Sequence, residues 1–114
     1  MALTSKIEAS LSDLVKGNIW PDACPKENAK KEWIVYTLIQ AQPREYGDDV
    51  DGEWGEMYQI HYVCAGQINY LKMKDEIRSR LRKSGFSLIS LQAFYDDMAQ
   101  SSHVIVAVDA LEGM

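Results

Sequence analysis

Two stretches of this chain repeat apolar residues at helical intervals, and each is followed by a pair of strand-like runs. In the first, Ile7, Leu11, Leu14 and Val15 recur at helical spacing after Ser5 and Glu8, which have capping-box spacing, and Gly17 is placed to stop the turn. In the second, Tyr70, Met73, Ile77 and Leu81 share one face, Asn69 is a cap candidate and Gly85 a stop. Helices over about 5–16 and 70–84 each carry a single apolar stripe that must be buried against something. The simplest structure that buries both is one sheet of about four strands with two helices on one face, an α+β fold of order α-β-β-α-β-β.

The strands follow from composition and alternation. Trp33 to Ile39 is dense in aromatic and β-branched residues with apolar side chains of both parities, which reads as a strand covered on both faces. Met57 to Cys64 alternates: Tyr58, Ile60, Tyr62 and Cys64 on one side, Met57, Gln59, His61 and Val63 on the other, the second side half-buried or covered by a partner. Phe86 to Tyr95 and His103 to Ala110 supply the last pair. Asn18 to Pro25 holds two prolines and reads as an extended connection. With 114 residues the chain is a single domain, 1–114.

Charge is distributed unevenly. Arg44 against Glu45, Asp48, Asp49, Asp51, Glu53 and Glu56 leaves −5 over residues 43–56. Together with Pro43, Gly47 and Gly52, this predicts a mobile acidic loop over about 42–56. Lys72, Lys74, Arg78, Arg80, Arg82 and Lys83 against Asp75 and Glu76 make the second helix +4. Lys74, Arg78 and Arg82, four apart, line one margin of its apolar face. Such a split can be ordinary solvated surface. It can also hold copies together head to tail, with Asp48, Asp49 and Asp51 of one chain meeting Lys74, Arg78 and Arg82 of the next, since complementary potentials fix register.

Several chemistries find no support. The apolar runs are far shorter than the roughly 20 residues of a membrane span, and the first residues lack the pattern of an export signal, so an intracellular protein with reduced Cys24 and Cys64 is expected. The net charge of −5 argues against direct nucleic-acid recognition. Tyr70 on the core face, with Arg80 and Lys83 on other sides, makes no stacking platform. The glycines form no phosphate loop. A calcium loop with Gly52 in sixth position would begin at Gly47 and end at Tyr58, missing both its first ligand and its bidentate glutamate. His61 and Cys64, three apart in a strand, face opposite ways and cannot share a metal or form a nucleophile–base pair, which leaves only a long-range pairing of Cys24 with His103. Asp96 and Asp97 read as turn residues. No catalytic, cofactor-binding or metal residue is assigned.

The helix at the N-terminus, Trp20-Pro21-Asp22, the strand Trp33-Ile34-Val35-Tyr36, the acidic loop, and Tyr58-Gln59-Ile60-His61-Tyr62-Val63 come in a familiar order. Ile77-Arg78-Ser79-Arg80-Leu81, Gly85-Phe86, Tyr95-Asp96-Asp97 and a last alternating strand complete it. In this sequence of elements the chain resembles the tail-completion, or tail-terminator, proteins of long-tailed bacteriophages and prophages. The resemblance implies a non-enzymatic virion component, made in the host cytoplasm. It would form a ring, typically a hexamer, that caps the tail tube, stops polymerisation and docks the head–tail connector. Its partners would be its own copies, the major tail tube protein and the connector protein. Two other readings are an adaptor, stopper or assembly factor of the phage neck, and a small intracellular ligand-binding regulatory domain whose pocket Trp33, Tyr36, Tyr58 and Tyr62 would line.

Overall fold

The computed structural model describes residues 3–24, 31–43, 54–66 and 70–111. Helix α1 (Leu3–Leu11) continues as a 3-10 turn (Ser12–Val15), followed by β1 (Ile19–Pro21), β2 (Glu32–Pro43), β3 (Trp54–Ala65), helix α2 (Tyr70–Lys83), β4 (Ser87–Asp96) and β5 (Ser101–Leu111). The strands form one sheet in the order β1-β2-β3-β5-β4. β1 runs parallel to β2 and the other neighbours are antiparallel.

The α+β architecture is as the periodicity predicts, with one strand more. The Pro-containing connection after α1 is an edge strand: Ile34 N–H donates to Asn18 O and Asp22 N–H to Tyr36 O, both at 2.9 Å. Pro21 is tolerated because an edge strand needs only one row of ladder bonds. The central strands are also longer than their apolar cores suggested, because antiparallel pairing carries β2 and β3 on through Gln42↔Gly55 and Pro43↔Trp54. The acidic segment between them narrows to residues 44–53. That segment, with Asp48, Asp49 and Asp51, and Asn69 lie outside the described residues, as does most of the calcium-like stretch.

Both helices pack on one face of the sheet. Leu3, Ile7 and Leu11, spaced by four, and Val15 are buried, as are Ile77 and Leu81 of α2. They meet Ile34 and Tyr36 of β2, Tyr58, Ile60, Tyr62 and Cys64 of β3, and Val104, Val106, Val108 and Ala110 of β5 in a single core. β4 contributes Leu88, Leu91 and Ala93, whose numbering changes parity because the ladder shifts between Leu88 and Ser90. The shift has the form of a bulge, one extra residue that returns the following side chains to the same face. Helix α1 begins at Leu3, so Ser5 lies inside its first turn instead of capping it. Glu8 has a different use: its carboxylate accepts a hydrogen bond from the Tyr36 hydroxyl, joining α1 to β2.

Helix α2 ends as Gly85 predicts. Gly85 has φ +95°, its N–H donates to Arg82 O at 3.0 Å and Phe86 N–H to Leu81 O at 3.1 Å. This pair of bonds, with Phe86 and Leu81 both in the core, is a Schellman stop. The helices are clipped together by Ser10 with Ser84 and by Arg80 with Asp13.

Among the described residues, no helix lies on the opposite face of the sheet. The expectation that β2 is covered on both sides therefore fails: Trp33 and Val35 are half-buried, and Ile39, at the register shift, is exposed. A doubly apolar strand and a strand with one uncovered apolar face look alike in one dimension.

Candidate functional site

Two surfaces stand out, a basic corner and the uncovered sheet face. The corner forms where the C-terminal half of α2 passes the start of β4. Arg78 and Arg82, one turn apart, and Phe86, Ser87 and Leu88 line an open hollow of about 420 Å³. Its rim is cationic and Phe86 and Leu88 give it apolar walls. Among the described residues β4 has a hydrogen-bonded neighbour only on its β5 side, so a sheet edge runs beside the arginines. Guanidinium groups at such a place suit a carboxylate-bearing extended segment, which they bind through paired N–H donors while the edge supplies main-chain bonds.

Of the basic residues expected to act, Arg78 reaches Asp75 at 3.3 Å and Lys74 reaches the same carboxylate at 3.8 Å, while Arg82 is exposed. Arg78 and Asp75 are both more than half exposed, and contacts of this kind are weak enough to be exchanged for a better partner. Arg80, by contrast, is committed internally: besides Asp13, it reaches Glu76 at 3.7 Å and Ser10 O at 3.4 Å. The acidic half of the expected contact lies outside the described residues.

On the uncovered face the sheet register builds rows across four strands. Trp33, Val63, His103 and Phe94 are successive cross-strand neighbours, and so are Val35, His61, Ile105 and Gln92. Phe94 is 39% exposed and Ile89, at the bulge, 52%. Where the rows adjoin, His61 Nε2 and His103 Nδ1 are 2.9 Å apart, His103 stacks on Phe94 with centroids 5.0 Å apart, and Ser101 Oγ is 2.7 Å from His103 Nε2. Burial, and secondly the positive charge that His103 can carry, hold the His61 pKa below its usual value.

Sequence spacing kept the histidines apart. It rightly put His61 and Cys64 on opposite faces: Cys64 is buried under the helices, where burial foremost raises its thiol pKa. It offered no partner for His61, because the pairing of β3 with β5 skips α2 and β4. The aromatic pocket is not formed as expected. Tyr36, Tyr58 and Tyr62 belong to the helix-covered core, while Trp33 is on the other face. Asp96 is a turn residue, its Oδ1 accepting from the N–H groups of Met98 and Ala99. Among the described residues, no three His, Cys, Asp or Glu side chains gather as a metal set, and no helix is long and apolar enough to cross a membrane.

No protein-family model and no curated protein sequence matches the chain. Among solved structures it is similar to a chain in the structure described as the virion of native gene transfer agent (GTA) particle. Identity is 13%, the match covers 98% of this chain and 96% of that one, and the TM-score is 0.65. At that identity the likeness is one of fold, and it extends over essentially the whole of both chains.

Proposed function

We propose that this protein is a structural component of a phage-type tail. A ring of its copies, six in the family it resembles, closes the finished tail tube, ends polymerisation and presents a docking surface to the head–tail connector. The observation that carries the reading is the fold shared from end to end with a virion chain, which agrees with the order of elements in the sequence. The surfaces suit such work. A sheet face bearing Trp33, Val35, Val63, Ile105 and Phe94, beside a free edge and an arginine-lined hollow, offers contacts for protein partners.

In this reading Asp48, Asp49 and Asp51 of one copy meet Lys74, Arg78 and Arg82 of the next. Each exposed pair contributes about 0.2–1 kcal/mol, so the charges select orientation and register. Affinity comes mainly from apolar burial, at about 25 cal/mol per Å². The major tail tube protein and the connector are then the partners, and the virion is the final location.

The test is negative-stain imaging of tail tubes, from the particle encoded by the same genome, mixed with the protein. Density at the end distal to the tail tip is expected. Density on a head-side connector in its place would identify an adaptor or stopper and overturn the terminator reading. The double reversal Arg78→Glu with Arg82→Glu should leave a folded subunit that no longer assembles; full assembly at ordinary salt would refute the charge contact.

A further inference from the structure

The uncovered sheet face holds two imidazoles whose ring nitrogens converge, an arrangement that tail closure does not require. His61 on β3 and His103 on β5 occupy diagonal positions, since His61 pairs with Ile105 and His103 with Val63. Their facing nitrogens, Nε2 and Nδ1, are 2.9 Å apart. We propose that His61 and His103 form a two-nitrogen chelate for a divalent late transition ion of tetragonal preference, Ni²⁺ or Cu²⁺.

Two features of the site support this. The first is the spacing. With metal–nitrogen bonds of about 2.0–2.1 Å, nitrogens 2.9 Å apart subtend an angle of about 90° at a common ion. That is the cis angle of square-planar or octahedral coordination, the geometry of Cu²⁺ and Ni²⁺. Tetrahedral Zn²⁺ needs the nitrogens about 3.3 Å apart, and the side chains would have to separate. The second is orientation. Ser101, only 7% exposed, stands 2.7 Å from His103 Nε2, and Phe94 lies stacked against the same ring, 14° from parallel. A hydroxyl accepting from Nε2–H fixes the tautomer in which Nδ1 carries the lone pair, the usual support of a metal-ligating histidine.

Without the ion, the short nitrogen–nitrogen distance is a hydrogen bond in which one ring donates and the other accepts. On binding, both facing nitrogens present lone pairs and the bridging proton resides on a ring's other nitrogen, so the neutral pair releases no net proton. The two histidines fill two cis positions and water fills the rest, for no three-residue metal set exists among the described residues. The inference does not depend on the assembly reading, and its test uses the isolated chain.

Tag-free, chelator-stripped protein is titrated with NiCl₂ at about pH 7.5, where imidazoles are neutral, by calorimetry and by paramagnetic broadening of histidine ring signals. One Ni²⁺ per chain is expected, with broadening centred on His61 and His103. Cu²⁺ should bind more tightly than Ni²⁺. His61→Gln and His103→Gln should each weaken binding at least tenfold, and Ser101→Ala by about tenfold through loss of the orienting bond. Circular dichroism checks the fold of each variant, and if a histidine variant does not fold, the broadening pattern in the wild-type protein decides. Absence of saturable binding at millimolar Ni²⁺, binding unchanged in both histidine variants, or broadening centred elsewhere overturns the proposal.

Discussion

The Tyr62 hydroxyl donates to Glu32 Oε2 at 2.7 Å, diagonally across β2 and β3. Tyr62 is fully buried, so this bond lets the largest core side chain end in a polar group without leaving it unsatisfied. Tyr36 does the same with Glu8 of α1. Removing the hydroxyl strips Glu32 of a charge-assisted partner. Tyr62→Phe should therefore cost about 1.5–3 kcal/mol in urea unfolding. In a double-mutant cycle with Glu32→Gln the two losses should be less than additive; strict additivity would show that the bond contributes nothing.

Alkaline pH should unfold the protein. Burial first, then the hydrogen bonds to Glu8 and Glu32, raise the pKa values of Tyr36 and Tyr62 above the ordinary tyrosine value. The folded state thus holds these protons more tightly than the unfolded chain. Their contribution to stability is complete below about pH 10 and is lost as pH rises beyond it. Melting temperatures from neutral pH upward should fall above that point, with the tyrosinate absorbance of these two residues appearing together with unfolding. The fall should be shallower in Tyr62→Phe.

Gly85 allows the left-handed turn that ends α2. An alanine there would carry a Cβ at φ +95°, at a cost of about 1–2 kcal/mol. Chemical denaturation of Gly85→Ala should show a lower midpoint with an unchanged slope. If the midpoint does not move, the stop is not held by these bonds.

The thiols should differ in reactivity. Cys64 is 1% exposed and burial raises its pKa, so a disulfide reagent should label it only as the protein unfolds. In a Cys24→Ser variant the native protein should therefore stay unlabelled over times in which the denatured chain reacts fully. Rapid labelling of the native variant would contradict the packing of β3 under the helices.

Much of the fold is legible in local pattern. Ile7, Leu11 and Val15, and Ile77 with Leu81, could be assigned to a buried stripe because helical spacing admits one face, and Gly85 could be assigned to a stop because few residues adopt its φ. The even-numbered residues of β3 and β5 could be assigned to the core because period two leaves no other choice. The bulge at Ile89 was hidden: Phe86, Leu88, Leu91 and Ala93 break the alternation, and a one-residue insertion shows only against the partner strand. β1 was hidden for the same reason. Nothing within Asn18 to Pro21 marks it as a strand until β2 lies beside it. The basic half of the candidate contact, Lys74, Arg78 and Arg82, was readable from a four-residue interval, whereas the hollow shared by Arg78 and Arg82 required the return of Phe86 to Leu88 alongside them.

The amino-acid order alone determined the elements and their inward faces, because helix and strand periods are properties of neighbouring residues in the chain. Only the tertiary structure decided that β5 enters between β3 and β4, that both described helices lie on the same sheet face, and that His61 meets His103 from 42 residues away. Those results come from which strands share hydrogen-bond ladders. That choice is made by burial of the whole helix-covered face at once, and no local stretch of sequence records it.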